Sequence, residues 1–476
     1  MDGRSFLYKR FRKNFPYDPT PCQERLFTEL ADFIFSGDGD IMVVNGYAGT
    51  GKTSAMAAVT ASFRTMGTPF VLLAPTGRAA KVLSSYTKFP AYTIHKYIYR
   101  QKSFGDDGIG LFSLAPNKDR DALFIVDEVS LIGIEQGRSN VNFGSGNLLE
   151  DLINFVRSGF DCKLVLGGDG AQLPPVGLDR SPALSPEYMS VAGGVRFCTL
   201  TSVVRQASES GILHNATILR EYITAGIDGL PFSRLGLEID GFEDISRVGG
   251  GELIETLSDA YEKYGEDETV VLCRSNKRAN RYNIGIRAQV QYREEQLVRG
   301  DRLMIVKNCY QFSGELKDTD YIANGDIACL EKISDYEDRY GLHFAQARLS
   351  LPDYGNQEIT AKVCLDTLSS EAPSLEMEQQ NVLYQGVLAD YAHLRTKKQR
   401  HNAVREDPYY NALQIKYGEA ITCHKSQGGQ WKCVFVDNSF WQGRFSLDDL
   451  KWLYTAFTRA VERLYLVNFK NEYFKI

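Results

Sequence analysis

The chain has 476 residues, room for two to four domains at roughly 100–200 residues each. Hydrophobic residues make up 43% and charged residues 24%, a balance that supports a sizeable core without metals or disulfides. The net charge of −6 gives no basic excess and counts mildly against a nucleic-acid binder, although a basic groove can sit on an acidic protein.

No apolar run approaches the length of a membrane span. The longest, such as Phe70–Ala74 and Leu123–Val126, are strand-sized. Met1–Thr20 is charged, carries Pro16 and Pro19, and lacks the apolar core of a signal peptide. The nine cysteines are odd in number and contain no C-x-x-C pair. A reducing, cytoplasmic setting with no membrane partner is therefore expected, without a disulfide framework or zinc site.

In chain order, Thr20–Phe35 reads as a first helix, with Thr20 as N-cap, Pro21 at the first helical position and Gln23 completing a capping box. Strands and helices then alternate: strand Ile41–Asn45, helix Lys52–Met66, strand Phe70–Ala74, helix Thr76–Tyr86, and strands Ala122–Asp127 and Lys163–Gly167. Continuous apolar strands separated by helices predict a parallel sheet covered on both faces. Similar strands return at Thr269–Cys273, Cys433–Asp437 and Leu464–Asn468, predicting a second α/β domain built from two distant pieces. Within it the pattern changes. Asn324-Gly325 is a hairpin signal, His343–Leu351 and Glu358–Leu365 alternate like half-buried strands, and Leu375–Tyr391 reads as helix. Tyr97–Phe104 and Ile109–Leu114, joined by Gly105-Asp106-Asp107-Gly108, read as a second, smaller hairpin. The expected domains are 1–200, with a hairpin insert at about 96–121; 201–308 plus 407–476; and a β-rich insert at 309–406.

Gly46-Tyr47-Ala48-Gly49-Thr50-Gly51-Lys52-Thr53 matches G-x-x-x-x-G-K-[ST] between an apolar strand and a helix. The glycines let backbone N–H groups turn inward around phosphate oxygens, and the helix N-terminus adds positive potential. Lys52 can reach the β- and γ-phosphates and Thr53 can hold Mg²⁺. Asp127 and Glu128 end a buried strand; Asp127 would hold Mg²⁺ through water, and Glu128 would accept a proton from the attacking water. The bland alternatives are a glycine-rich turn and an acidic helix cap. ATP and Mg²⁺ are the expected cofactors.

Three further stretches carry a resemblance: Gly168-Asp169-Gly170-Ala171-Gln172-Leu173-Pro174-Pro175-Val176, Thr422-Cys423-His424-Lys425-Ser426-Gln427-Gly428, and Tyr454-Thr455-Ala456-Phe457-Thr458-Arg459-Ala460. In that order the pattern resembles superfamily 1B helicases of the RecD/Dda-like group. The resemblance implies two RecA-like P-loop domains and an SH3-like character for the β-rich insert. It implies a γ-phosphate sensor at Gln172 and arginine fingers at Arg205 and Arg459, both carried by the second domain. It also implies an adenine-reading role for Gln23, and places Gln427 and Gly428 near the nucleotide. Gln23 fits its capping box equally well, and Arg459 also suits the end of a helix read over Ser446–Ala460. Leu173-Pro174-Pro175 would be a stiff connector between nucleotide and track.

Expected nucleic-acid contacts are Pro75, Thr76, Arg78 and His95 from the first domain, and Thr422 and His424 from the second. A lone Thr or His is more often a satisfied surface or core group. The small hairpin is the candidate wedge, with Phe104 or Phe112 able to stack on a base. The implied activity is ATP-dependent 5′-to-3′ translocation on single-stranded DNA with duplex unwinding. The partners would be single-stranded DNA and duplex junctions, with replication or repair proteins as candidates. Because the sequence reaches the Gln23 motif almost at once, a stand-alone monomeric motor is expected. The competing readings are an RNA helicase or nucleoprotein-remodelling translocase, a P-loop ATPase without unwinding activity, and a DNA-binding module that has lost its ATPase.

Overall fold

A computed structural model describes residues 3–104, 110–133, 144–204, 209–309, 311–312 and 322–475, with side chains omitted at 101–104 and 110–111. The first lobe contains β1 (Ile41–Gly46), β2 (Phe70–Ala74), β3 (Ala91–Thr93), the hairpin β4 (Tyr99–Phe104) and β5 (Gly110–Leu114), β6 (Leu123–Val126), β7 (Lys163–Gly168) and β8 (Val195–Leu200). Six of these form one parallel sheet in the order β3-β2-β6-β7-β1-β8. Its strands are nearly continuous apolar runs because helices cover both faces. The Lys52–Met66 and Pro21–Phe35 helices pack on one face around Leu26, Phe27, Met56 and Phe63. The helix Leu148–Arg157 packs on the other, around Phe124, Leu152 and Phe155.

An additional helix, Gly3–Asn14, precedes the first expected one. It buries Leu7 and Phe11, one helical turn apart, and Phe11 packs against the rings of Phe27 and Phe63.

Further along lie β9 (Leu230–Pro231), β10 (Ile245–Val248), β11 (Thr269–Cys273), β12 (Arg302–Ile305), β13 (Ile327–Arg339), β14 (Leu342–Leu351), β15 (Gln357–Cys364), β16 (Leu413–Tyr417), β17 (Ala420–Thr422), β18 (Trp431–Asp437), β19 (Arg444–Phe445) and β20 (Ala460–Val467). The second sheet is also parallel, ordered β10-β20-β18-β11-β17. It joins two distant stretches of chain, as the sequence predicts.

The β-rich insert is a closed five-stranded barrel, β12 to β16. It is wider than the expected 309–406, because Leu303, Ile305, Leu413 and Ile415 all lie in the barrel core. The intervening Met304 instead packs in the core of the second lobe. One short apolar strand thus serves two cores, and its composition does not say which. Asn324-Gly325 is a turn leading into β13, reached from an isolated bridge between Cys309 and Ile322, rather than a hairpin loop between two long strands. The helix expected at Leu375–Tyr391 runs from Met377 to Asp390 and covers one end of the barrel.

The barrel is pinned at its base by buried charge. Asp301, fully buried, pairs with Arg287 and with Arg293 (3.0 Å), and accepts the Val298 N–H (2.8 Å). Removing one member of such a cluster leaves the other charge without compensation. Asp301→Ala is expected to cost about 3–5 kcal/mol, measured by urea denaturation. A loss below about 1 kcal/mol would show that water relieves Arg287 and Arg293.

Candidate ATP and nucleic-acid site

The phosphate loop follows β1 as expected. Gly49 (φ +73) and Gly51 (φ +74) take left-handed backbone, and Gly51 caps the Lys52–Met66 helix. In the sheet order, β7 separates β1 from β6, so Lys52 and Asp127 must meet across the end of an intervening strand. They do: Lys52 Nζ lies 2.8 Å from Asp127 Oδ1, both side chains about nine-tenths buried. The strand between them ends in Gly167-Gly168. A Cβ on Gly167 would lie 3.4 Å from Asp127 Oδ1 and 3.7 Å from Lys52 Cδ, so a larger side chain would crowd the pair.

Burial alone would favour the neutral amine of Lys52. Asp127, Glu128 and Asp169 outweigh it and hold the ammonium above its ordinary proton affinity. Glu128 follows Asp127 in left-handed backbone (φ 56), a strained conformation for a non-glycine residue. Its N–H donates to Asp127 Oδ1 (2.9 Å), while its buried Oε2 has no hydrogen-bond partner among the described residues. Burial, reinforced by Asp127 and opposed by Lys52 and Arg459, raises the Glu128 pKa. A carboxylate held in strained backbone, with an oxygen left open, suits a proton acceptor. Thr53, in the first turn of the helix, and Asp127 offer the hard oxygen donors that Mg²⁺ prefers.

Gln172 is buried, and its Oε1 is without a partner among the described residues. The loop carrying it is held by the second lobe: Thr455 Oγ1 accepts the Leu173 N–H (2.8 Å), and Gln427 Nε2 donates to Leu173 O (2.7 Å). Ala171 and Leu173 lie within the hydrophobic core of the second lobe. Gln23 adopts the capping alternative. Its Oε1 accepts the Thr20 N–H (2.9 Å), and its Nε2 donates to Thr50 O in the phosphate loop (2.8 Å). A side chain at Gly51 would meet Gln23 Nε2 at 2.5 Å.

The helix expected over Ser446–Ala460 runs only from Leu447 to Phe457, because Ala460 already starts β20. Arg459 therefore lies just past the helix rather than in its last turn. It is 3% exposed and still reaches back, donating from Nε to Thr455 O (3.1 Å) and from Nη1 to Gly429 O (3.2 Å). Its charge nevertheless acts on Glu128 and Asp169. Arg205 lies outside the described residues. Close by, Val204 donates its N–H to Gly49 O (3.1 Å).

The expected nucleic-acid residues sit at the C-terminal ends of parallel strands, where open α/β sheets place their ligands. Thr76, two residues after β2, caps the helix Gly77–Thr87, accepting the Ala79 N–H (3.2 Å). Thr422 ends β17 and stands at the N-cap of a short helix carrying the exposed His424. The two lobes touch between these ends. A side chain at Gly428 would lie 3.0 Å from the Ala79 methyl and 3.1 Å from the Thr76 hydroxyl. Arg78 stacks on the ring of Trp431 in the second lobe, 3.8 Å from its centroid. Burial lowers its pKa to about 10, so it remains charged at neutral pH. Pro75 is half-buried beside it. Half-buried His95 is pushed down to about 4 by burial and is neutral at pH 7.

The hairpin β4–β5 has a fixed base. Tyr99 Oη donates to Asp151 (2.7 Å), and Ala115 N–H to Ile98 O (2.8 Å). Phe112 packs onto the first lobe's core. The turn 105–109 and the Phe104 side chain fall outside the described residues.

Sequence reading missed Asp169, Tyr454 and Trp431, whose partners lie in the opposite lobe. Gly167-Gly168 was a visible signal for close approach beside β6.

Two parallel-sheet lobes sharing one phosphate loop define a two-lobed P-loop nucleotide-binding protein. A family model described as "AAA domain" matches residues 28–228, and one described as "UvrD-like helicase C-terminal domain" matches residues 417–467. The ATP-dependent RecD2 DNA helicase of Deinococcus radiodurans is 32% identical over 176 residues, or 37% of this chain. The match takes in 21% of that relative, so the chain spans about a fifth of its length. By sequence the chain is thus similar to an AAA domain and a UvrD-like helicase C-terminal domain, and over its matched residues to a RecD2 DNA helicase. Among solved structures, Pif1 helicase from Bacteroides in complex with ADP-AlF3 and ssDNA is 14% identical, covering 97% of this chain and 95% of that one (TM-score 0.46). Pif1 helicase from Candida albicans is 17% identical, covering 96% of each chain (TM-score 0.40).

Arg459→Ala is expected to leave ATP binding near normal and slow hydrolysis on the order of 10³-fold, read by nucleotide titration and single-turnover kinetics. A near-normal rate would confine Arg459 to its bonds with Thr455 and Gly429.

Proposed function

We propose that this chain is an ATP-dependent helicase that translocates 5′ to 3′ along single-stranded DNA and unwinds duplexes ahead of it. The observation that carries the reading is the shared seam: the phosphate loop, the Gln172 loop and the start of the Gly77–Thr87 helix are all touched by the second lobe. A change at the nucleotide is thereby transmitted to both sets of strand ends that face the track.

In this mechanism Lys52 and the N–H groups of Gly49, Thr50 and Gly51 hold the phosphates, and Gln23 fixes the loop or reads the adenine. Thr53 and Asp127 would hold Mg²⁺, which when bound would screen charge building on the phosphoryl oxygens. Arrival of phosphate gives Lys52 a second anion to share with Asp127. Glu128 orients the attacking water and takes its proton. Gln172 contacts the terminal phosphate. Arg205 and Arg459 donate to it from the second lobe, so stabilisation of the transition state depends on closure of the lobes.

Thr76, Arg78 and His95 grip the strand from one side, and Thr422 and His424 from the other. Pro75 lies on the same track, while Gln427 and Gly428 stand nearer the nucleotide, where Gln427 holds the Gln172 loop. Alternating grip moves the strand. The hairpin, rigid at its base, blocks re-annealing, which otherwise returns ~1.4 kcal/mol per base-pair step. The barrel steadies the exiting strand.

Duplexes carrying a 5′ or a 3′ single-stranded tail test the reading. ATP-dependent opening of the 5′-tailed substrate alone is expected. Opening of only the 3′-tailed one reverses the polarity, and opening of neither removes the helicase assignment. Shortening the Gly105–Gly108 turn is expected to spare translocation, followed as DNA-stimulated ATP turnover, and to impair unwinding; equal loss of both would exclude the wedge.

A further inference from the structure

Helix Leu447–Phe457 reaches across the seam at two adjacent residues. Thr455 takes the Leu173 N–H, as described above. The Tyr454 hydroxyl is held between two groups of the first lobe. It accepts from the Ala48 N–H of the phosphate loop (2.9 Å) and donates to Asp169 Oδ2 (2.6 Å). The Tyr454 side chain and Asp169 are 1% and 2% exposed. The other oxygen of Asp169 accepts the Ala171 N–H (2.9 Å). Lys52 and Arg459 are close enough for their charges to act on this carboxylate. One hydroxyl thus joins the phosphate-loop backbone to the loop carrying Gln172, and it stands on the segment that continues to Arg459.

We propose that Tyr454 is a positioning residue for ATP hydrolysis, whose hydroxyl holds the phosphate loop and the Asp169–Gln172 loop in register with the second lobe. The inference rests on the ATP-driven reading above and names the strut through which its two lobes communicate. A hydroxyl can fill this place because it donates and accepts at once. Phenylalanine has nearly the same shape but leaves the Ala48 N–H and one oxygen of Asp169 buried without partners. Freed of its donor, Asp169 is drawn toward Lys52, where it competes with the phosphate and releases Gln172 from its setting.

Tyr454→Phe in the full chain tests this. Four quantities are read: kcat and KM for ATP, with and without oligo-dT; oligo-dT affinity with and without a non-hydrolysable ATP analogue; and the thermal midpoint. At least about a tenfold fall in kcat is expected, with KM changed by less than about threefold. The ratio of the two oligo-dT affinities is expected to move toward one. In the Tyr454→Phe/Asp169→Asn double variant the fall in kcat is expected to be smaller than the product of the two single effects, because both changes act on one bond.

Wild-type kcat and affinity ratio in Tyr454→Phe overturn the proposal, as does a fully additive double variant. A lowered thermal midpoint, with turnover and nucleotide binding lost in parallel, also overturns it by reducing Tyr454 to a packing residue. If the wild-type protein binds no oligo-dT, the helicase reading fails. Tyr454 is then judged on the kcat and KM split of the intrinsic turnover, where an unchanged kcat still refutes its role.

Discussion

The Lys52–Asp127 ion pair is the contact around which the first lobe is arranged. Lys52 opens the helix that follows β1 and Asp127 follows β6, two strands that are not neighbours, so the strand between them must end low and bare. The Gly167-Gly168 pair at the end of β7 meets that demand. Beyond those glycines the chain turns into Asp169 and Gln172, so the residues that follow the bare strand end lie beside the same charges. The pair keeps a buried ammonium and a buried carboxylate compensated. It also leaves Glu128, with its open oxygen, as the carboxylate best suited to a proton.

Contact between the lobes is more than surface touching. Ala171 and Leu173 of the first lobe lie within the core of the second, with Trp431, Trp452 and Tyr454, and Tyr47 and Ala48 of the phosphate loop pack against it. A shift of the second lobe therefore moves backbone at the phosphate site directly. On the opposite side of the seam, Arg78 on Trp431 and Gly428 on Ala79 carry the same coupling to the strand ends expected to hold nucleic acid.

Much of this was legible in the sequence. The helix Lys52–Met66 and the strands Phe70–Ala74 and Thr269–Cys273 match their expected bounds, because a glycine-rich turn, a cap or an uninterrupted apolar run marks each end. The sequence was silent where meaning depends on a distant partner. Nothing local to Tyr454 says that its hydroxyl faces Ala48 and Asp169, and nothing in the run at 302–306 says that alternate residues serve different cores. The helix Gly3–Asn14 shows only two buried apolar positions one turn apart, too short a stripe to stand out among its basic residues. Arg459 was placed within a helix because the apolar pattern continues past Phe457 into β20. Gln23 fitted two roles in the sequence. In the structure its two amide atoms serve Thr20 and Thr50.

The barrel leaves and rejoins the second lobe at one place, where the Gly418 N–H bonds Arg302 O and β12 pairs with β16. Its two connections are thus held side by side as a double-stranded joint, while Lys81 of the first lobe pairs with Asp353 at the barrel's rim (2.7 Å). The same junction bears on how the lobe is assembled. Val271 pairs with Ala420, a closure that spans the whole insertion. Once the barrel has zipped up, those segments are already brought close, and most of the chain entropy of joining them has been spent locally.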